Sequence, residues 1–150
     1  MISYTTDTLL VRQNGPELEV LLIKRGGETE TNKWALPGGH VDPGDAHDFE
    51  RAAARELYEE TNIDVQQFPY PIYLRYMGIR ENVENQWVGH TYWGLVNNYH
   101  DVSEARAGDD AKDLLWVDYS QFRHLYESGQ MAFDHGEIVE NVFKTLENLI

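Results

Sequence analysis

The stretch Phe49-Glu-Arg-Ala-Ala-Ala-Arg-Glu-Leu-Tyr-Glu-Glu-Thr61 constrains the fold more than any other part of the chain. At the helical repeat, Phe49, Ala52, Ala53, Glu56 and Glu60 share one face and Glu59 borders it, because residues three and four apart lie above one another. The stripe begins apolar, so its first turns anchor in a core. It ends in carboxylates, which partial burial would drive toward the neutral form unless a cation compensates them. That end is either a solvated helix terminus, with Arg55 and Glu59 as an i, i+4 pair, or a site for a divalent metal.

Length and charge narrow the setting. The 150 residues fit one domain, 1–150, and can bury a core. A hydrophobic fraction of 41% excludes a disordered chain. No apolar run approaches the roughly 18 residues of a membrane span. The formal net charge of −14 repels nucleic acid and anionic membranes, so neither is an expected partner. A phosphorylated substrate would need local positive charge or metal ions. The lack of cysteine removes thiolate catalysis and Cys-type metal sites. The opening Met1-Ile-Ser-Tyr-Thr-Thr-Asp-Thr lacks the regions of a signal peptide, so a cytoplasmic protein is expected.

Along the chain, Tyr4 to Arg12 and Leu18 to Arg25 read as strands joined by the turn Gln13-Asn14-Gly15-Pro16. Trp34 to Gly39 reads as a short strand ending in adjacent glycines, which serve either a plain turn or close approach to a ligand. Asp48 or Asp45 caps the acidic helix, and Asn62 closes it in the left-handed conformation. Ile63 to Val65 and Tyr70 to Gly78 look extended, a polar turn covers Glu81 to Asn85, and Trp87 to Val96 is a strand pairing with the one before it. Asp101 to Lys112 forms an acidic loop, either solvated or offering a further oxygen ligand from Glu104, Asp109 or Asp110. The strand Leu114 to Val117 and a short helix from Tyr119 to Tyr126 follow. Asp134 is expected to cap a last amphipathic helix carrying Ile138, Val142, Leu146 and Leu149 on one stripe.

From Gly39 to Ile63 the chain resembles the Nudix hydrolase family, whose signature is G-x5-E-x7-R-E-U-x-E-E-x-G-U with U bulky and apolar. Here it stands as Arg55-Glu-Leu-Tyr-Glu-Glu-Thr-Asn-Ile63, preceded by Leu36-Pro-Gly-Gly39. Two residues too many separate Gly39 from Arg55, so the signature's first glutamate falls on Asp45 counted forward and on His47 counted back. Asn62 replaces the signature glycine. The resemblance implies an α/β/α sandwich with a mixed sheet, and hydrolysis of a nucleoside diphosphate linked to another moiety.

By matching position, Glu56 and Glu60 would be the main Mg²⁺ ligands, with Mn²⁺ as a substitute. Glu59 would be a further ligand or base, Arg55 an orienting partner, the Gly39 carbonyl a metal contact, and Asp45 a support for Arg55. Shorter pieces, Leu22-Ile-Lys-Arg25, Trp34 to Val41, Gly108-Asp-Asp-Ala111 and Ala132-Phe-Asp-His135, resemble the ADP-ribose pyrophosphatases. The position where one subgroup of these carries proline holds Gly78.

Arg25 and Arg80 are candidates to meet phosphate oxygens, or are surface arginines. Trp34, Trp87, Tyr92 and Trp93 either stack on a base or belong to the sheet faces. His135 is expected to contribute packing or a cap hydrogen bond. The small-molecule nucleotide is most simply ADP-ribose, giving AMP and ribose 5-phosphate. A nucleoside triphosphate pyrophosphohydrolase and a non-catalytic sensor of nucleotide sugars are the rivals, the second disfavoured by the retained glutamates and by the shortness of the chain. Related enzymes are often homodimers, and the sequence is compatible with one.

Overall fold

A computed structural model describes residues 2–45, 47–82 and 86–147. The strands are β1 (Ser3–Asn14), β2 (Glu17–Arg25), β3 (Trp34–Ala35), β4 (Gly38–His40), β5 (Arg75–Asn82), β6 (Trp87–Val96) and β7 (Ala111–Val117). The helices are α1 (Phe49–Thr61), α2 (Tyr119–Glu127) and α3 (His135–Glu147), with a short 3-10 turn at Pro43–Asp45.

The apolar runs of β1 and β2 lack polar alternation because both faces of the sheet are covered. Leu9, Val11, Val20 and Leu22 pack on one face against Phe122, Val139 and Phe143 of α2 and α3. Leu10 and Leu21 point the other way, toward Leu57 of α1 and the plugs Ile63, Val65 and Ile72. The result is the expected α/β/α sandwich.

The mixed sheet runs β3-β2-β1-β6-β5, with β4 added to β1 and β7 to β2. β6 lies parallel to β1 along its length, from Ser3 opposite Trp87 to Arg12 opposite Val96. The other edge of β1 is therefore shared: Val11 to Asn14 pair with β2, and Thr5 to Asp7 pair with β4. β2 meanwhile continues into pairs with β3 and β7. Where β1 and β2 part company, the sheet opens into a cleft.

α1 has the ends its sequence suggests. Of the two cap candidates it is Asp48 whose side chain accepts from the Arg51 amide, at 3.0 Å. Asn62 closes the helix at φ 63°. Ala52, Ala53, Leu57, Glu60 and Thr61 are buried. Phe49, expected in the core, is only half-buried. It stacks on His90 at 4.0 Å between centroids and leans on Tyr4 at 5.6 Å, because the first turn lies over the aromatic margin of β1 and β6.

Some boundaries differ from expectation. β5 begins at Arg75, since Pro69 and Pro71 supply no amide for a ladder, and the preceding residues form irregular structure. β7 starts three residues before Leu114, at Ala111. Asp134 does not turn its carboxylate onto α3: that group meets Arg80, and its carbonyl accepts from the amides of Glu137 and Ile138. Leu149 and the turn residues Val83 to Asn85 lie outside the described residues. Among the described residues no helix is long and apolar enough to cross a membrane.

Candidate active site

The cleft holds about 460 Å³. Its lining includes Gly38, Gly39, Glu56, Glu60 and Asp109, and a second group, Asp7, Arg80, Trp87, Phe133, Asp134 and His135, linked by its own contacts. α1 supplies the glutamates because its acidic turn follows directly on the buried Ala52, Ala53 and Leu57.

Glu60 is 7% exposed, and its Oε1 accepts from the Gly38 amide at 2.7 Å. Burial pushes its pKa up to about 8, with the charge of Glu56 adding to the rise and the Gly38 hydrogen bond opposing it. Glu56 is pushed up to about 6, again chiefly by burial, against the pull of Arg55. Gly39 sits so close that a Cβ there would lie 2.7 Å from the Glu56 carboxyl carbon. A side chain at this position would displace the Glu56 carboxylate.

Arg55 is the hub of the outer rim. It donates from Nε and Nη2 to the two oxygens of Asp45, at 3.1 and 2.9 Å, and from Nη1 to Glu56 at 3.1 Å and Glu59 at 3.2 Å. Its Nη2 also reaches the His40 carbonyl at 3.2 Å. Asp45, not His47, thus faces Arg55. The two extra residues are absorbed after Asp45, where His47 adopts φ 62°. Asp45 is buried, and the guanidinium holds its carboxyl below the usual carboxylate range.

The donor set suits a hard cation. Glu56, Glu59, Glu60 and the Gly39 peptide offer only oxygen, the preference of Mg²⁺. Burial raises the pKa values of two of these carboxylates, and neighbouring carboxylates add to it, Glu59 and Asp42 for Glu56 and Glu56 and Asp109 for Glu60, a cost that a divalent ion would remove. Among the described residues no three such groups already stand at ligand spacing around one point. Arg55 Nη1 bridges Glu56 and Glu59 instead.

The downstream acids separate cleanly. The loop before β7 is tied to the end of α1 by the Arg106 amide to the Thr61 carbonyl, 3.0 Å, and the Gly108 amide to the Glu60 carbonyl, 3.1 Å. That places Asp109 and Asp110 on the cleft, and the charge of Asp109 contributes to the raised Glu60 pKa. Glu104 is exposed, and its carbonyl accepts from Asn62 at 3.4 Å.

Arg25 and Arg80 both reach the cleft. Arg25 donates to Thr29 and lies over the Phe133 ring at 4.8 Å. Arg80 is held by Asp7, Asp134 and Thr91. Of the four aromatic candidates, Trp87 lines the cleft, whereas Trp34 and Tyr92 are buried in the sheet and Trp93 is half-buried beneath Arg75. Sequence reasoning missed Asp7, Asp134 and Phe133 as cleft residues. The only signal lay in the segment Ala132-Phe-Asp-His135, whose Phe133 takes φ 50°. His135 accepts from the Leu36 amide on Nδ1 at 3.0 Å, so its proton sits on Nε2, 3.4 Å from Asp7.

Comparison with known proteins agrees with this architecture. The chain is 28% identical over 145 residues to the ADPR responsive transcriptional repressor NtrR of Acinetobacter baylyi, covering 96% of this chain and 54% of that protein. It is 30% identical over 128 residues to the ADP-ribose pyrophosphatase of Methanocaldococcus jannaschii, covering 84% and 66%. The chain thus spans about half to two thirds of the length of these curated relatives. The NUDIX domain of Shewanella oneidensis NrtR, solved with ADP ribose, superposes with a TM-score of 0.79 at 21% identity, covering 97% of this chain and 89% of that one. The family model for the NUDIX domain matches residues 4–142, and the chain belongs to that family.

Proposed function

We propose that the chain is a Mg²⁺-dependent hydrolase that splits the diphosphate bond of a nucleoside diphosphate joined to another moiety, with ADP-ribose giving AMP and ribose 5-phosphate. The observation that carries this reading is the pair Glu56 and Glu60, two carboxylates with raised pKa values on the wall of an open cleft. Glu56, Glu59, Glu60 and the Gly39 carbonyl would hold the metal. When bound, Mg²⁺ or Mn²⁺ neutralises diphosphate oxygens and acidifies a water.

The chain's own residues do the rest. Arg55 fixes the rotamers of Glu56 and Glu59, and Asp45 fixes Arg55. Asp109 or Glu59 accepts the proton of the attacking water, each being a carboxylate on or beside the cleft. Arg25 offers its guanidinium fork to phosphate oxygen, and Trp87 and Phe133 give flat surfaces to a base. Water adds across the P–O–P bridge, and positioning with charge neutralisation supplies most of the rate.

The relative named as an ADP-ribose pyrophosphatase supports the substrate class. The relative named as an ADPR responsive repressor, aligned over 96% of this chain, favours a second reading in which ADP-ribose is bound and sensed without turnover. Incubation with ADP-ribose and Mg²⁺, with products identified, tests the first: release of AMP and ribose 5-phosphate supports it. Release of pyrophosphate from triphosphates alone would replace it with a pool-cleaning activity. Tight binding without release would move it to sensing.

A further inference from the structure

The part of the cleft lining beside the glutamates is built as a chain of fixed polar contacts. The Leu36 amide holds His135 Nδ1, His135 Nε2 faces Asp7 Oδ1, Asp7 Oδ2 meets Arg80, and Arg80 meets Asp134 Oδ1. Two strands, β1 and β5, the link between β3 and β4, and the start of α3 contribute to it. The first members are sealed: His135 is 5% exposed and the Asp7 side chain 9%. The last is open, with the Asp134 side chain 35% exposed on the cleft. Among the described residues no protein group occupies Asp134 Oδ2.

Arg80 is not a free cation here. It is matched by two carboxylates, while burial keeps His135 neutral by lowering its pKa. The set therefore carries one net negative charge. It also adjoins the glutamates. Gly38 donates its amide to Glu60 on one side, and on the other a Cβ at Gly38 would lie 2.6 Å from Asp7 Oδ1. A diphosphate bound at Glu56 and Glu60 would bring its next substituent onto this part of the lining.

We infer that Asp134, braced by Arg80, is a hydroxyl acceptor that selects diphosphates ending in a sugar over those ending in phosphate. A sugar hydroxyl donates to Asp134 Oδ2, a charge-assisted hydrogen bond whose acceptor is already oriented. A terminal phosphate in the same place meets a net negative surface and offers no proton to it at neutral pH. Arg80 is a positioning residue, acting through Asp134. This inference rests on the diphosphate reading above and adds which end of the substrate is read, and by what.

The test is calorimetric binding of ADP-ribose and ADP, which differ in the terminal ribose and in the extra ionisable oxygen its absence leaves on the second phosphate, with Ca²⁺ in place of Mg²⁺ to slow turnover. Wild type is expected to bind ADP-ribose roughly tenfold or more tighter than ADP. Asp134→Ala should remove most of that advantage, weakening ADP-ribose binding while leaving ADP binding unchanged or tighter. Asp134→Asn, which keeps the side-chain shape and replaces one acceptor oxygen with a donor, should fall between and carries the test if the alanine variant does not fold. Equal losses for both ligands, or no loss for either, would overturn the inference. A Mg²⁺ assay run alongside separates the two claims. Selective binding without AMP release would remove the hydrolysis reading and leave this one. AMP release by the wild type, with equal losses in the variants, would do the reverse. Binding of neither ligand would end both.

Discussion

Arg55 grips Asp45 through both carboxylate oxygens, across a turn that carries two residues more than the family signature allows. The pair explains why the insertion is tolerated: it lies beyond Asp45, so the carboxylate still reaches the guanidinium. Asp45→Ala should cost about 2 kcal/mol in chemical denaturation, below the usual cost of breaking a buried pair because Arg55 keeps its contacts with Glu56 and Glu59. The folded pKa of Asp45 lies below its unfolded value. Its contribution is therefore complete above about pH 4 and disappears as pH falls through the folded value. Comparing wild type with Asp45→Ala below pH 4 should show the stability gap closing.

Glu60 has the opposite sign. Its folded pKa of about 8 lies above the unfolded carboxylate range, so the folded state binds the extra proton between about pH 4.5 and 8. Metal-free protein in EDTA should lose stability as pH rises through that window, by on the order of 2 kcal/mol, and Mg²⁺ should restore it. A stability curve that is flat in EDTA would show that Glu60 titrates normally.

Glu60→Gln should keep the Gly38 hydrogen bond through its amide oxygen and remove both the charge and the proposed ligand. Turnover of ADP-ribose should fall at least about 100-fold, with the circular dichroism spectrum unchanged and the EDTA pH dependence abolished. Turnover near that of the wild type would remove Glu60 from the metal site.

The adjacent glycines should respond differently to alanine. A Cβ at Gly38 would lie 2.1 Å from the Thr6 carbonyl oxygen, which belongs to the paired backbone of β1 and cannot yield easily. A Cβ at Gly39 meets only the end of the Glu56 side chain, which can swing away. Gly38→Ala should therefore destabilise by about 2 kcal/mol or more. Gly39→Ala should stay within about 1 kcal/mol of wild type while losing activity, because Glu56 is displaced. Thermal melts and initial rates on the two variants separate packing from chemistry.

Local patterns carried much of this structure. The stripe of α1, its Asp48 and Asn62 ends and the β1–β2 hairpin follow from spacing and from single-residue conformational preference. The signature glutamates reach the cleft because helical periodicity places Glu56 and Glu60 on one face. What could not be read was whatever depends on pairing between distant segments. No local pattern announces that β6 lies parallel to β1, and without that register Asp7, Arg80 and Asp134 have no reason to meet. In the sequence Arg80 read either as a cation for phosphate oxygens or as a surface arginine. The sheet brings it between two carboxylates. Phe133 was hidden for the same reason, since it enters the cleft only once α3 has docked beside β3 through the bridge of Trp34 with Met131.

The parallel pairing of Ser3 with Trp87 also sets a clock. The β1–β2 hairpin can close within microseconds, but the central pair must wait for roughly eighty intervening residues to be brought together. During synthesis, α1 and its glutamates are made before β6. The cleft lining is then complete only when Phe133, Asp134 and α3 have followed, so the cleft is a late product of folding.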